Sequence, residues 1–134
     1  MSKCVVIGVT GGIAVYKALD VISALRKKDI EVHVIMTESA SKFVNPLTFQ
    51  SISQNMVVTD MFAEPKAWEI QHISLAQKAD LMLIAPATAN VIGKISNGIA
   101  DDMLSTTVMA TKAKVLIAPA MNTLALVAIT VVDN

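Results

Sequence analysis

Three short apolar runs in this chain each end in a turn of small and polar residues. The runs cover residues 5–9, 81–85 and 115–118, and the turns contain Gly, Thr, Pro, Ala and Asn. Continuous apolar runs of this length are typical of strands that are buried on both faces of a parallel sheet. Because the carboxyl ends of parallel strands meet at one edge of the sheet, the three turns are expected to share one binding crevice.

The remaining pattern indicates alternating strands and helices. A helical pattern begins at Ile13, and a further apolar run over 32–36 completes a strand–helix–strand unit. A short strand is predicted at 57–59, and helices are predicted over 47–53, 74–78, 91–95 and 103–110. The 134 residues are 54% hydrophobic but only 4% aromatic, so aliphatic side chains must form the core. We therefore predict a single α/β domain over 1–134.

Charge and cysteine content argue against several classes of protein. The 11 basic and 11 acidic residues balance and form no basic tract, which disfavours a nucleic-acid partner. No apolar segment reaches the roughly 20 residues that cross a bilayer, so we expect no membrane association and a cytoplasmic location. Cys4 is the only cysteine, which excludes an internal disulfide and a cysteine-based zinc site. We expect a buried, inert thiol there and predict no metal site.

The turn Thr10-Gly11-Gly12 has two possible roles. Its glycines would let backbone N–H groups approach a phosphate at the start of the following helix. The glycines at 8, 11 and 12 do not form the G-x-G-x-x-G pattern, so a mononucleotide fits better than a dinucleotide. The same glycines are also what a tight turn requires, and the motif alone leaves both roles open.

Other polar residues also have a structural and a functional interpretation. Thr88 either caps the next helix or adds a contact for an anion at the same helix start. Asp101 and Asp102 lack further ligands at a metal-binding spacing, so we interpret them as turn and cap residues. His33 lies in an apolar run and is expected on the core or sheet face. His72 stands at a loop-to-helix junction, where it is either a general acid or base or a surface residue.

Taken together, these residues resemble the flavin-dependent cysteine decarboxylases, in particular the phosphopantothenoylcysteine decarboxylases of coenzyme A biosynthesis. The matching segments run in family order and cover nearly all of 4–123: residues 8–17, 36–40, 47–50, 72–76, 85–90, 93–102 and 119–122. The resemblance implies an α/β fold, a Rossmann-like flavodoxin-type three-layer sandwich with a parallel sheet. It also implies FMN as the cofactor.

The resemblance assigns roles to residues by their position. His72 would be the active-site base, and Asn122 would bind the substrate carboxylate. The flavin contacts would be Gly11, Gly12, Ile13, Thr37, Ser39, Thr88, Ala89, Asn90 and Ala120. Family members assemble as homotrimers or homododecamers, and in bacteria they are often fused to phosphopantothenoylcysteine synthetase.

The reaction that the resemblance implies is the FMN-dependent oxidative decarboxylation of 4′-phosphopantothenoylcysteine to 4′-phosphopantetheine. The flavin oxidises the cysteinyl side chain to a thioaldehyde, which places the carboxylate β to an electron sink and lets CO₂ leave. Three alternatives stay open: a flavoprotein that acts on a peptide C-terminal cysteine, a flavin prenyltransferase, and a non-catalytic flavin-binding regulatory subunit.

After Thr123 the sequence departs from the family pattern. Residues 124–134 form an apolar run that is expected to be a final buried strand. The family's substrate-covering flap, whose cysteine is the acid that completes the reaction, has no counterpart in the sequence. We therefore expect a domain that is incomplete on its C-terminal side and that stops at the oxidised decarboxylation product or fails to retain substrate.

Overall fold

A five-stranded parallel sheet forms the centre of the molecule. The computed structural model describes residues 3–59 and 73–118, except for the side chain of Ile13. The strands are β1 (Cys4–Val9), β2 (Glu31–Met36), β3 (Val58–Thr59), β4 (Leu81–Ile84) and β5 (Lys114–Ile117). Their order in the sheet is β3-β2-β1-β4-β5, and every pairing is parallel. This is the doubly wound order of Rossmann-like folds, with β1 in the middle and the switch point beside it.

Helices cover both faces of this sheet, which confirms the predicted three-layer α/β fold. They are α1 (Ala18–Lys27), α2 (Glu38–Ser41), α3 (Pro46–Ser53), α4 (residues 73–78), α5 (Ala89–Ser96) and α6 (Met103–Ala110). Helices α1 and α3 contribute to the core cluster on one face, whereas α4, α5 and α6 contribute to the cluster on the other. None of the described helices combines the length and the apolar character that a membrane span needs.

The alternation of side chains along β1 shows why its residues are almost all apolar. Val5, Ile7 and Val9 belong to the core cluster of α1 and α3, while Val6 belongs to the cluster on the opposite face. Every residue of β1 is buried, as the continuous apolar run predicted. A central parallel strand is covered by helices on both sides, so it has no face left for polar side chains.

The start of the first helix differs from the prediction. Residues Ile13–Lys17 form a 3₁₀ helix, and α-helical geometry begins only at Ala18. Gly12 precedes this segment with a φ of 133° and has no side chain to cap the first turn. Tight 3₁₀ turns are common at such helix starts. The apolar run over 124–134 lies outside the described residues.

Candidate functional site

The turns that follow β1, β2 and β4 meet at the carboxyl edge of the sheet and enclose a cavity of about 910 Å³. Its lining consists of Thr10, Gly11, Gly12, Thr37, Glu38, Ser39, Phe43, Thr88, Asn90, Val91, Lys94, Asp101 and Asp102. The sequence predicted a shared crevice after β1, β4 and β5. The turns after β1 and β4 do line this cavity, and the turn after β2 lines it as well. Residues 119–122, which follow β5, lie outside the described part of the chain.

Thr10 joins the ends of β1 and β4. Its side chain is fully buried, and its hydroxyl donates a hydrogen bond to the carbonyl oxygen of Pro86. The same hydroxyl accepts a hydrogen bond from the backbone N–H of Thr88 at 2.9 Å. The backbone N–H of Thr10 also donates to the Pro86 oxygen, at 3.3 Å. One side chain therefore holds the two turns at a constant separation.

The two glycines of the first turn are needed for different reasons. A Cβ on Gly11 would lie 2.7 Å from the Cβ of Ser39, so only glycine lets the turns after β1 and β2 come this close. Gly12 has a φ of 133°, which side chains with a Cβ rarely adopt, and nothing lies within 4 Å of its Cβ position. The tight-turn interpretation is therefore confirmed, and the turn also leaves open space beside its backbone.

Two threonines cap the helices that begin at the cavity. The Thr37 hydroxyl accepts a hydrogen bond from the Ala40 N–H at 3.3 Å, and Thr88 accepts one from the Val91 N–H at the same distance. Thr88 is therefore the helix cap that the sequence allowed. Because α5 begins at the cavity wall, the positive end of its dipole faces a site suited to an anion.

One wall of the cavity carries a lysine and two aspartates. Lys94 Nζ lies 2.9 Å from Asp101 Oδ1 and 3.4 Å from Asp102 Oδ2. The ion pair with Asp101 raises the pKa of Lys94 above its usual range. Burial acts to raise the pKa of Asp102, but hydrogen bonds from Ser105 and the Lys94 charge outweigh it and lower this pKa. Two carboxylates facing one ammonium leave this wall negative.

Asp102 also has the structural role that the sequence indicated. It caps α6 by accepting a hydrogen bond from the Ser105 N–H at 2.7 Å, while the Ser105 hydroxyl accepts a hydrogen bond from the Asp102 N–H at 3.1 Å. The sequence did not indicate Lys94. Its pairing with the two aspartates depends on how α5 and α6 pack, and no local pattern signals that packing.

The structure brings most of the sequence-predicted site residues together. The residues on the cavity lining are Gly11, Gly12, Thr37, Ser39, Thr88 and Asn90. Ala89 begins α5 next to Thr88, and Ile13 begins the 3₁₀ helix next to Gly12. His72, Ala120 and Asn122 lie outside the described residues. Thr10, named from the sequence only as part of the glycine turn, also lines the cavity. The lining residues that sequence reasoning did not assign to a site are Glu38, Phe43, Val91, Lys94, Asp101 and Asp102.

His33 and Cys4 lie at the opposite, amino-terminal edge of the sheet. His33 is on the sheet face, where its Nε2 is 2.5 Å from Glu31 Oε2. The Cys4 side chain is buried, and burial, followed by the charge of Glu31, raises the pKa of its thiol to about 12. A protonated, buried thiol is unreactive towards electrophiles, as the sequence predicted.

Comparison with known proteins gives this geometry a context. A sequence profile of the family described as Flavoprotein matches residues 1–131. The coenzyme A biosynthesis bifunctional protein CoaBC of Bacillus subtilis is 58% identical over 121 residues, which are 90% of this chain and 30% of that protein. The chain thus spans less than a third of the length of the curated relatives it matches first.

Two solved structures are similar over most of the chain. The FMN-dependent cysteine decarboxylase SpaF has a TM-score of 0.78 and 31% identity, covering 92% of this chain and 71% of that one. A variant of PPC decarboxylase complexed with pantothenoylaminoethenethiol has a TM-score of 0.72 and 26% identity, covering 93% of this chain and 70% of that one.

Proposed function

The chain belongs to the flavoprotein family, and we propose that its cavity binds FMN and serves the oxidative decarboxylation of 4′-phosphopantothenoylcysteine to 4′-phosphopantetheine. The observation that carries the proposal is the convergence of the turns after β1, β2 and β4 on one cavity beside glycine backbone. The substrate is inferred from the similarity to CoaBC, whose name places it in coenzyme A biosynthesis.

The residues around the cavity suit a flavin mononucleotide. The start of α5 and the hydroxyls beside it offer N–H and O–H donors for a phosphate. The open space at Gly12 leaves room for a flat ring against the backbone, and about 910 Å³ lies within the range of cofactor and ligand sites. The residues that would hold FMN are Gly11, Gly12, Ile13, Thr37, Ser39, Thr88, Ala89, Asn90 and Ala120.

When bound, FMN supplies the oxidation of the cysteinyl side chain that makes loss of CO₂ feasible. We assign His72 to accept the thiol proton, because a neutral imidazole is a base near physiological pH. We assign Asn122 to orient the substrate carboxylate through its amide. A neutral donor suits this role, because a fixed cation would stabilise the carboxylate before the reaction and oppose its loss.

The proposal extends to partners. Several large apolar side chains are exposed, among them Tyr16, Phe43 and Leu47, and their burial against copies of the chain supports the homotrimer or homododecamer that the resemblance implies. Light scattering tests this assembly, and a flavin-loaded monomer at every concentration would contradict it.

The bifunctional relatives suggest phosphopantothenoylcysteine synthetase as a further partner. The cytoplasmic location expected from the sequence agrees with this pathway.

The first experiment is an absorbance spectrum of the purified protein, followed by mass identification of the cofactor released by heat. We expect oxidised-flavin bands and FMN. A colourless protein that does not bind added FMN would overturn the cofactor assignment.

The second experiment compares two substrates, 4′-phosphopantothenoylcysteine and a peptide that ends in cysteine, with CO₂ release as the readout. Release of CO₂ from the first supports the proposal, even if it stops at one equivalent per flavin, whereas CO₂ release from the peptide alone would favour the peptide-cysteine alternative. His72→Asn should retain the flavin spectrum and lose turnover. If it keeps full turnover, His72 is not the base.

A further inference from the structure

Three side chains with metal-ligating atoms meet at the amino-terminal edge of the sheet, opposite the cavity. Cys4 and Glu31 are partners in the β1–β2 register, and His33 is two residues further along β2. The Cys4 sulfur, a Glu31 carboxylate oxygen and a His33 ring nitrogen all lie within 4.8 Å of one another. The parallel register, and not their spacing in the sequence, brings them together, so the prediction of no metal site could not anticipate this cluster. A single cysteine excludes only zinc sites built from several cysteines, not a site of mixed ligands.

We propose that Cys4, Glu31 and His33 form a binding site for a zinc-like transition-metal ion. Thiolate and imidazole donors with one carboxylate favour zinc and cobalt over magnesium and calcium, which prefer sites made of oxygen ligands alone. Ligands at normal zinc distances are about 3.3–3.6 Å apart in a tetrahedral site. His33 Nε2 and Glu31 Oε2, which are now 2.5 Å apart, must therefore separate by about 1 Å, and the Cys4 sulfur must approach them by about 1 Å or less. Three protein ligands leave the fourth position for water.

The surroundings of the cluster suit a cation. Cys4 is 4% exposed and forms the buried side of the site, whereas the side chains of His33 and Glu31 are 16% and 31% exposed and leave an entrance. Lys78 Nζ already lies 2.6 Å from Glu31 Oε2, so this carboxylate attracts positive charge. Asp80 Oδ2 accepts a hydrogen bond from the Cys4 N–H at 2.7 Å, which adds negative charge nearby.

Binding requires one proton to leave. The metal–sulfur bond forms as the Cys4 S–H bond breaks, and the proton passes to solvent. The ammonium of Lys78 competes with the metal for Glu31, since both are cations at one carboxylate. Removing that ammonium should therefore strengthen metal binding, a result that a purely structural ion pair would not produce.

The test is a Co²⁺ titration of the metal-stripped protein, followed as a difference spectrum so that flavin absorbance cancels. We expect one Co²⁺ per chain, a near-ultraviolet cobalt–thiolate band, and displacement of the cobalt by Zn²⁺. His33→Gln should weaken Co²⁺ binding by more than about 100-fold, beyond the loss expected for an outer-shell partner. Lys78→Met should strengthen binding about tenfold. Asp20→Asn, an exposed acid on α1, should leave the affinity unchanged.

Cys4→Ser should abolish the cobalt–thiolate band. A wild-type titration without that band at millimolar Co²⁺ overturns the proposal, as does an undiminished band in the serine variant. If the serine variant does not fold, the His33→Gln variant tests the proposal instead, because the His33 side chain is partly exposed and its replacement should leave the fold intact. Unchanged Co²⁺ affinity in that variant places the ion elsewhere and overturns the assignment.

Discussion

Replacing Thr10 with valine tests whether one buried hydroxyl holds the cavity together. Valine has nearly the shape of threonine, so the change removes the hydroxyl and adds little strain. The hydroxyl donates to the Pro86 carbonyl oxygen and accepts from the Thr88 N–H, and both bonds join the end of β1 to the turn after β4. Without it, the two turns lose their only described side-chain connection.

The size of the effect follows from which backbone groups lose a partner. The Pro86 oxygen keeps the Thr10 N–H at 3.3 Å, but the Thr88 N–H loses its hydroxyl acceptor. Thr88 is half-buried at the cavity lining, and a donor left without a partner in such a place costs about 1–3 kcal/mol, so we expect a loss of about 2 kcal/mol in the free energy of unfolding. With an unfolding entropy of about 2.1 cal/mol/K per residue over 134 residues, this lowers Tm by about 7 °C.

Urea unfolding measures the free energy of unfolding of each variant, and flavin fluorescence titration measures its affinity for FMN. Thr107→Val is the matched control, because the Thr107 hydroxyl is also buried but donates only to the Met103 oxygen of its own helix, at 2.7 Å. That oxygen keeps its normal helical N–H donor, so the control should lose less than about 1 kcal/mol and bind FMN normally. If Thr10→Val costs no more than the control and FMN affinity is unchanged, the reasoning is wrong.

Three further predictions concern the glycine turn, the cap of α6 and the buried thiol. Gly11→Ala should reduce FMN affinity at least tenfold in fluorescence titrations, because its Cβ would lie 2.7 Å from the Ser39 Cβ. The control Gly93→Ala has nothing within 4 Å of its Cβ, so it should raise the free energy of unfolding in urea by about 0.5–1 kcal/mol. Equal effects of the two variants on FMN affinity would count against the close approach at Gly11. The pKa of Asp102 is lowered below 3.8, so its carboxylate stabilises the fold fully above that pH, and this contribution is lost as the pH falls through the folded pKa. The difference in unfolding free energy between the wild type and Asp102→Asn should therefore narrow below about pH 3.8 in acid unfolding. A difference that widens there would contradict the assignment. With a pKa of about 12, the metal-free Cys4 thiol should react with Ellman's reagent about 100-fold more slowly in native protein than in urea at pH 8, and similar rates would show that it is accessible.

The sequence was sufficient for the features that depend on local patterns. The apolar run over 5–9 predicted a strand buried on both faces, and β1 is that strand. Small polar residues before an amphipathic helix predicted the Thr88 cap, which the structure contains. Such features depend on residues within one turn or one strand, so a single sequence can reveal them.

The features that the sequence could not reveal depend on which separate elements pack or pair with one another. Lys94 meets Asp102 only because α5 and α6 pack at the same wall, and Cys4 meets His33 only because β1 and β2 pair in parallel with one register. Periodicity reports which face of an element is buried, but it carries no information about the neighbour that covers it. The roles of His72 and Asn122 remain predictions, because both lie outside the described residues.

The central place of β1 has a consequence for how the chain folds during synthesis. Its partner β2 is made soon afterwards, but the other partner, β4, begins at Leu81. At translation rates of about 5–20 residues per second, one edge of β1 waits roughly 4–14 seconds for its hydrogen-bond partner. An unpaired apolar strand edge readily joins another chain. Chaperone binding to ribosome-bound chains should therefore be strongest before β4 emerges and should fall once it does.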